Sequence, residues 1–236
     1  MTSETGLRVL EEKIIRCRRC PRLVEYREKI AKEKRRAFRD WTYWGRPVPG
    51  FGDPRAELFI LGLAPGAHGS NRTGRMFTGD RSGEFLYAAL HKAGFANQAT
   101  WLCPDDGLKL KSVFIAAAVR CAPPANKPLP SEILHCRGYL KRELALLKPK
   151  VILALGKIAW DAYLDILKSE GLIASRAKYA FAHGAVAKLP GDGPRLVGVY
   201  HPSQQNTQTG KLTPAMYAKV LNQIRKMLGD DSAPGG

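Results

Sequence analysis

Five cysteines offer the first chemistry. Cys17, Cys20, Cys103, Cys121 and Cys136 are an odd set, which argues against a secreted disulfide framework. Cys17-x2-Cys20 places two thiols about one turn apart, and Cys121 and Cys136 follow with fourteen residues between them. Four soft ligands in that pattern suit zinc or an iron–sulfur cluster, and the spacing alone does not choose. Free cysteines are also common in cores, so unrelated buried thiols are the competing reading. Cys103, next to Pro104, stands outside the pattern.

Two other stretches concentrate groups that could hold a ligand. From Gly62 to Asp80 the chain reads GLAPGAHGSNRTGRMFTGD. Small residues such as Gly62, Ala64, Pro65 and Gly66 let backbone approach a ligand, and turn N–H groups can hold an anion or a carbonyl oxygen. His68, Arg72 and Arg75 add positive charge. Phe77, alone among polar neighbours, is a candidate platform for a flat base or simply a loop anchor. No Gly-Lys-Ser/Thr follows, so this is not a nucleotide-hydrolase phosphate loop. The second stretch, His201-Pro-Ser-Gln-Gln-Asn-Thr-Gln-Thr-Gly-Lys211, is rich in amides and hydroxyls. Ser203, Gln204, Gln205, Asn206 and Lys211 there suit contacts to phosphate.

The elements that must position these groups alternate. Apolar runs at Glu57–Leu63, Val113–Val119, Val151–Leu155 and Leu196–Tyr200 read as buried strands. Between and after them, Ser82–Ala93 and Ser131–Leu147 read as helices capped by Ser82 and Ser131. Further helices open at Lys157 and, with proline in the first turn, at Pro214. A helical segment over Leu7–Arg36, broken at Cys17–Pro21, precedes them, followed by an aromatic, Pro- and Gly-rich loop from Trp41 to Gly52. Continuous apolar strands alternating with helices predict an α/β fold: a three-layer α/β/α sandwich around a mainly parallel, four-stranded central sheet. Residues 1–228 are expected as one domain and 229–236 as a disordered tail. Ligands of such sheets sit beyond the carboxyl ends of the strands. The segments 62–66, 120–126 and 201–203 all fall there.

Charge narrows the partner. Lys and Arg number 38 against 21 Asp and Glu, a formal net charge of +17. Phosphates neutralised by basic side chains release counterions, so a nucleic acid is the expected partner. No apolar run reaches about 18 residues, so a membrane span is not expected. A cytoplasmic, monomeric protein is.

The residues now resemble a known family. Gly-Leu-Ala-Pro-Gly-Ala-His-Gly at 62–69 and His-Pro-Ser at 201–203 resemble the two signature motifs of the uracil-DNA glycosylase superfamily. The four cysteines, in this order, resemble its iron–sulfur members. Asn-Arg-Thr-Gly-Arg at 71–75, Phe-Thr-Gly-Asp at 77–80 and the long loop after His201 resemble the type five branch, with type four as the alternative. The resemblance covers about Ile15 to Leu221. It implies a [4Fe–4S] cluster on Cys17, Cys20, Cys121 and Cys136, and a monofunctional repair glycosylase acting on uracil-containing duplex or single-stranded DNA. It further implies that Phe77 stacks on the flipped base, Asn126 reads its edge and His201 stabilises it as it departs. The sequence departs from most of the superfamily at Leu63 and Ala64, where an acidic or amide residue usually serves the attacking water. Asp80 is the expected substitute and His68 the second candidate. An apolar Leu63–Ala64 gate also implies tolerance of other deaminated bases such as hypoxanthine. A non-catalytic DNA-binding relative is the rival reading.

Overall fold

A computed structural model of the chain describes residues 2–229. In chain order the elements are α1 (Ser3–Ile15), α2 (Pro21–Glu33), β1 (Phe51–Gly52), β2 (Leu58–Gly62), α3 (Ser70–Thr73), α4 (Arg81–Lys92), β3 (Val113–Ala117), α5 (Pro130–Leu147), β4 (Val151–Leu155), α6 (Lys157–Ser169), β5 (Val186–Ala187), β6 (Arg195–Val199), α7 (Gln204–Gln208) and α8 (Pro214–Leu228).

The four expected strands form the parallel heart of the sheet, in the order β3-β2-β4-β6. Among the described residues the sheet has six strands rather than four. Antiparallel β1 and β5 add one edge each. Each is two residues long, too short to leave a periodic signal in sequence. β2, β3 and β4 are buried along their whole length, because helices cover both faces. One face packs Ile60, Leu58, Leu153 and Val197 against Leu86, Leu90, Tyr217 and Leu221 from α4 and α8. The other packs Phe59, Leu61, Ile152 and Leu196 against Leu140, Trp160 and Leu164 from α5 and α6. Truncating one such side chain to Ala costs about 2–5 kcal/mol.

Helix starts differ from expectation in an instructive way. Asp80, not Ser82, caps α4: its Oδ1 accepts the Gly83 N–H at 2.9 Å. Leu129, not Ser131, precedes α5, and Glu132 Oε2 accepts the Leu129 N–H at 2.7 Å. The segment after His201, read as loop, contains the short helix α7, capped by the Ser203 hydroxyl. Gly229, assigned to the expected tail, instead closes α8 in the left-handed region; residues 230–236 lie outside the described residues.

Candidate active site

The carboxyl ends of β2, β3 and β6 release three segments that meet over one cleft of about 420 Å³, a size suited to a small ligand. Leu63, Ala64 and Gly66 line it from the first segment. Phe77 and Asp80 follow from the same loop, Asn126 from the second, and His201, Ser203, Gln204 and Gln205 from the third. Gly62 lies beneath, where a Cβ would reach within 3.0 Å of the Phe77 ring. Pro65 is buried behind the loop.

Phe77 and His201 face one another across the cleft, ring centroids 6.1 Å apart and tilted by 34°. Phe77 has a positive φ of 52°, and Ala125 and Asn126 have 51° and 55°. Non-glycine residues held there indicate local strain enforced by the surroundings. For Phe77 the enforcing contact is visible: its carbonyl sits where a Cβ of Gly83 would be. Side-chain directions at the rim are therefore fixed by backbone that sequence periodicity does not reveal.

Asp80 is the acid of the cleft. While Oδ1 caps α4, Oδ2 lies against Gly66 and Gly69, where a Cβ on Gly69 would overlap it. Burial raises its pKa above the usual carboxylate value, opposed by the N–H groups of Gly83 and Ser82 and by nearby Arg72. His201 is held by its backbone: its carbonyl accepts Asn206 Nδ2 at 2.8 Å and Ser203 N at 2.7 Å. Burial pushes its imidazole pKa down to about 4, so it is neutral near pH 7.

Several expected roles change. Arg72 is 4% and Arg75 5% exposed, so neither is placed to meet phosphate. Arg72 donates to the carbonyls of His68 and Gly79 at 2.8 Å each. Arg75 grips Asp106 through both terminal nitrogens at 2.8 and 2.7 Å. Both arginines brace the loop from within. Asn206 staples the turn through the His201 carbonyl, and Lys211 lies exposed with its ammonium 5.1 Å from the Tyr200 ring. His68 is not among the cleft-lining residues; its Nδ1 meets the Tyr43 hydroxyl at 3.1 Å. Sequence reasoning missed Ser70, Met76 and Ser82 in the lining. It also missed Tyr43 and Gly69, for which the aromatic loop and the glycine repeat were the available signals.

A second cluster lies where the α1–α2 turn meets the end of β3 and α5. Cys20, Cys121 and Cys136 pack with Leu23 and Val119, and the charge of Cys17 acts on all three. Burial pushes the Cys20 thiol up to about 11 and the Cys121 thiol up to about 12. Into this apolar set points a buried cation. Arg27, 2% exposed, donates to Cys121 Sγ at 2.8 Å and to the Cys17 carbonyl at 3.3 Å. A buried guanidinium on sulfur suits an anionic thiolate assembly. Among the described residues no three His, Cys, Asp or Glu donors are drawn together as a single-ion site. Four thiols of this kind are soft donors that could hold zinc or an iron–sulfur cluster. Cys103 is elsewhere, its N–H directed at Asp106.

Residues 49–225 match the uracil DNA glycosylase superfamily. The chain belongs to this superfamily. Within it, the chain is 52% identical over 215 residues to a type-5 uracil-DNA glycosylase of Mycobacterium tuberculosis, covering 90% of this chain and 78% of that one. A Mycobacterium leprae type-5 uracil-DNA glycosylase is 51% identical over 222 residues, 93% of this chain and 95% of its own. One from Thermus thermophilus is 52% identical over 214 residues, 90% and 94% of the two chains. Within the superfamily the type five branch thus holds over nearly the whole chain. Across the match, the motif glycines double as space reserved for Asp80 and Phe77.

Proposed function

We propose that the chain is a base-excision repair glycosylase that hydrolyses the bond joining uracil to its deoxyribose in DNA. The observation that carries the reading is the convergence of Phe77, Asp80, Asn126 and His201 on one cleft of about 420 Å³. In this reading the target nucleotide leaves the stack, at a cost of a few kcal/mol that is least at a mismatch. Its base lies on Phe77, and the Asn126 amide hydrogen-bonds its edge. Breaking the glycosidic bond leaves an oxocarbenium-like sugar and an anionic base. Neutral His201 donates its N–H to an oxygen of the departing base, where one such donor is worth about 100- to 1000-fold in rate. The Asp80 carboxylate faces the developing cation and orients the water, whose oxygen bonds to the sugar carbon and keeps one proton as the new hydroxyl, while the other passes by way of the carboxylate to the departing base. Leu63 and Ala64 leave the cleft without a polar gate, which favours acceptance of hypoxanthine beside uracil.

We also propose that Cys17, Cys20, Cys121 and Cys136 hold a [4Fe–4S] cluster, supported by the packing of Cys20, Cys121 and Cys136 together and by the buried Arg27 on the Cys121 thiol. When bound, the cluster supplies a covalent staple among three chain segments. The test of the activity is purified protein on a uracil:guanine duplex, then hot alkali. A strand break at the uracil position, with free uracil released, is expected; an intact strand contradicts the reading. Hypoxanthine, xanthine and thymine duplexes in the same assay order the base preference.

A further inference from the structure

The basic charge of the site is not where the loop arginines suggested, and its natural replacement lies one segment earlier. From Lys34 to Arg46 the chain carries five cations and one acid, interleaved with Phe38, Trp41, Tyr43 and Trp44. Arg35, Arg36 and Arg39 are exposed. Arg18, Arg22 and Arg75 each hold a carboxylate; among the described residues Arg35, Arg36 and Arg39 hold none.

This segment is fixed to the cleft. The buried Arg72 guanidinium lies against the rings of both Phe38 and Trp41, 3.9 and 4.1 Å from their centroids, with the two rings standing at 81° to one another. Such cation–π stacking is strongest when desolvated. The Trp44 backbone N–H donates to the Arg72 carbonyl at 2.9 Å and the Gly45 N–H to the Asn71 carbonyl at 3.0 Å. Tyr43 meets His68 from the same side. Arg72 in turn holds the carbonyl of Gly79, the neighbour of Asp80. Trp41 nevertheless stays 37% exposed, more than an aromatic serving only as core would be. Three unpaired guanidiniums and an exposed indole thus stand on a segment tied through Arg72 to the loop that carries Asp80 into the cleft.

We infer that Arg35, Arg36, Arg39 and Trp41 form a grip on the DNA strand beside the extruded base, the arginines on backbone phosphates and Trp41 against a flanking nucleotide. The inference rests on the glycosylase reading and names the surface that reading lacks. Arginine forks and aromatic faces are the chemistry that single-strand and backbone recognition uses. The occupant is polyanionic because the surface is cationic and the acids near it, Glu33 and Asp40, are outnumbered.

The test measures binding and chemistry separately. An R35A/R36A/R39A variant, its thermal midpoint checked against wild type, is titrated with fluorescent duplex over a series of salt concentrations. A variant with Lys148, Lys168 and Lys178 changed to Ala, on the α5–α6 face of the sheet, matches its decrease in charge. The grip predicts a rise in Kd of about tenfold or more at about 0.1 M salt. It also predicts a salt slope shallower by roughly 2 to 3, near 0.9 for each phosphate no longer neutralised. The excision rate at saturating enzyme stays at the wild-type value. W41A raises Kd for single-stranded DNA by about fivefold or more. Wild-type affinity and slope in the triple arginine variant, or equal weakening in the lysine variant, overturn the inference. If wild type leaves uracil in place yet the arginine variant still binds more weakly, the glycosylase reading fails and the grip stands. If excision proceeds and the arginine variant binds like wild type, the grip alone fails.

Discussion

Asp80 carries two duties in one side chain, and they are separable. Its Oδ1 caps α4 while the carboxylate faces the cleft. Asparagine caps a helix about as well as aspartate but cannot carry the charge. Asp80→Asn is therefore expected to fold with a nearly unchanged thermal midpoint and to lose about 100-fold or more in single-turnover excision rate. Asp80→Ala loses the same chemistry and in addition about 1 kcal/mol of stability with the cap. If Asn preserves the rate, the carboxylate is not part of the reaction. The pH profile reads the same residues. Burial raises the Asp80 pKa, and the carboxylate is the working form, so the rate falls on the acid side with a half-point above the ordinary 3.8. Asp80→Asn flattens that limb. His201, depressed to about 4, adds no break near 6.5, because it is already neutral throughout that range. A rate that rises as pH falls through about 6.5 would mean a cationic His201 is the donor instead.

Glycines and helix caps decide whether that chemistry is in register. Gly69 has no room for a Cβ because the Asp80 carboxylate occupies it, and Gly83 has none because of the Phe77 carbonyl. Gly69→Ala is expected to displace a side chain, whereas Gly83→Ala must displace backbone already held at a positive φ. The first should cut excision and cost no more than about the 1 kcal/mol that the Asp80 cap is worth. The second should cut excision and also cost about 1–3 kcal/mol, as overpacking does, read from denaturant unfolding. Equal stability losses for both would refute this division. Much of this scale was legible in sequence. β4 runs from Val151 to Leu155 as expected, since a fully buried parallel strand must be continuously apolar. The carboxyl-end positions of Phe77, Asn126 and His201 followed from the alternation. What stayed hidden depended on partners distant in sequence. Arg72 and Arg75 look like surface cations until Phe38, Trp41 and Asp106 close over them. Asp80 looks like a loop acid until the helix behind it starts one residue later. Helix α7 is made of polar residues with no apolar period, so only the Ser203 cap betrays it.

At the scale of the whole molecule, two assemblies share one sheet end: the base cleft and the four thiols. The proposed cluster on Cys17, Cys20, Cys121 and Cys136 would tie the N-terminal helices to β3 and α5. Closing a loop of about a hundred residues is worth on the order of 4–5 kcal/mol in chain entropy. At roughly 2–4 °C per kcal/mol for a chain of this size, Cys136→Ser should lower the thermal midpoint by about 10 °C. Iron content and absorbance near 400 nm should fall with it. Cys103→Ser should change neither, and zinc in place of iron in the purified wild type would contradict the cluster. The glycosylase reading depends on a single nucleobase being drawn into the cleft that Phe77, Asn126 and His201 line together. The direct measurement is a crystal structure of the Asp80→Asn variant bound to a duplex with one uracil:guanine pair. Expected is uracil out of the helix, its face on Phe77, its edge at the Asn126 amide and a His201 ring nitrogen within hydrogen-bond reach of a uracil oxygen. Uracil still stacked in the duplex, or bound away from these three residues, would contradict it.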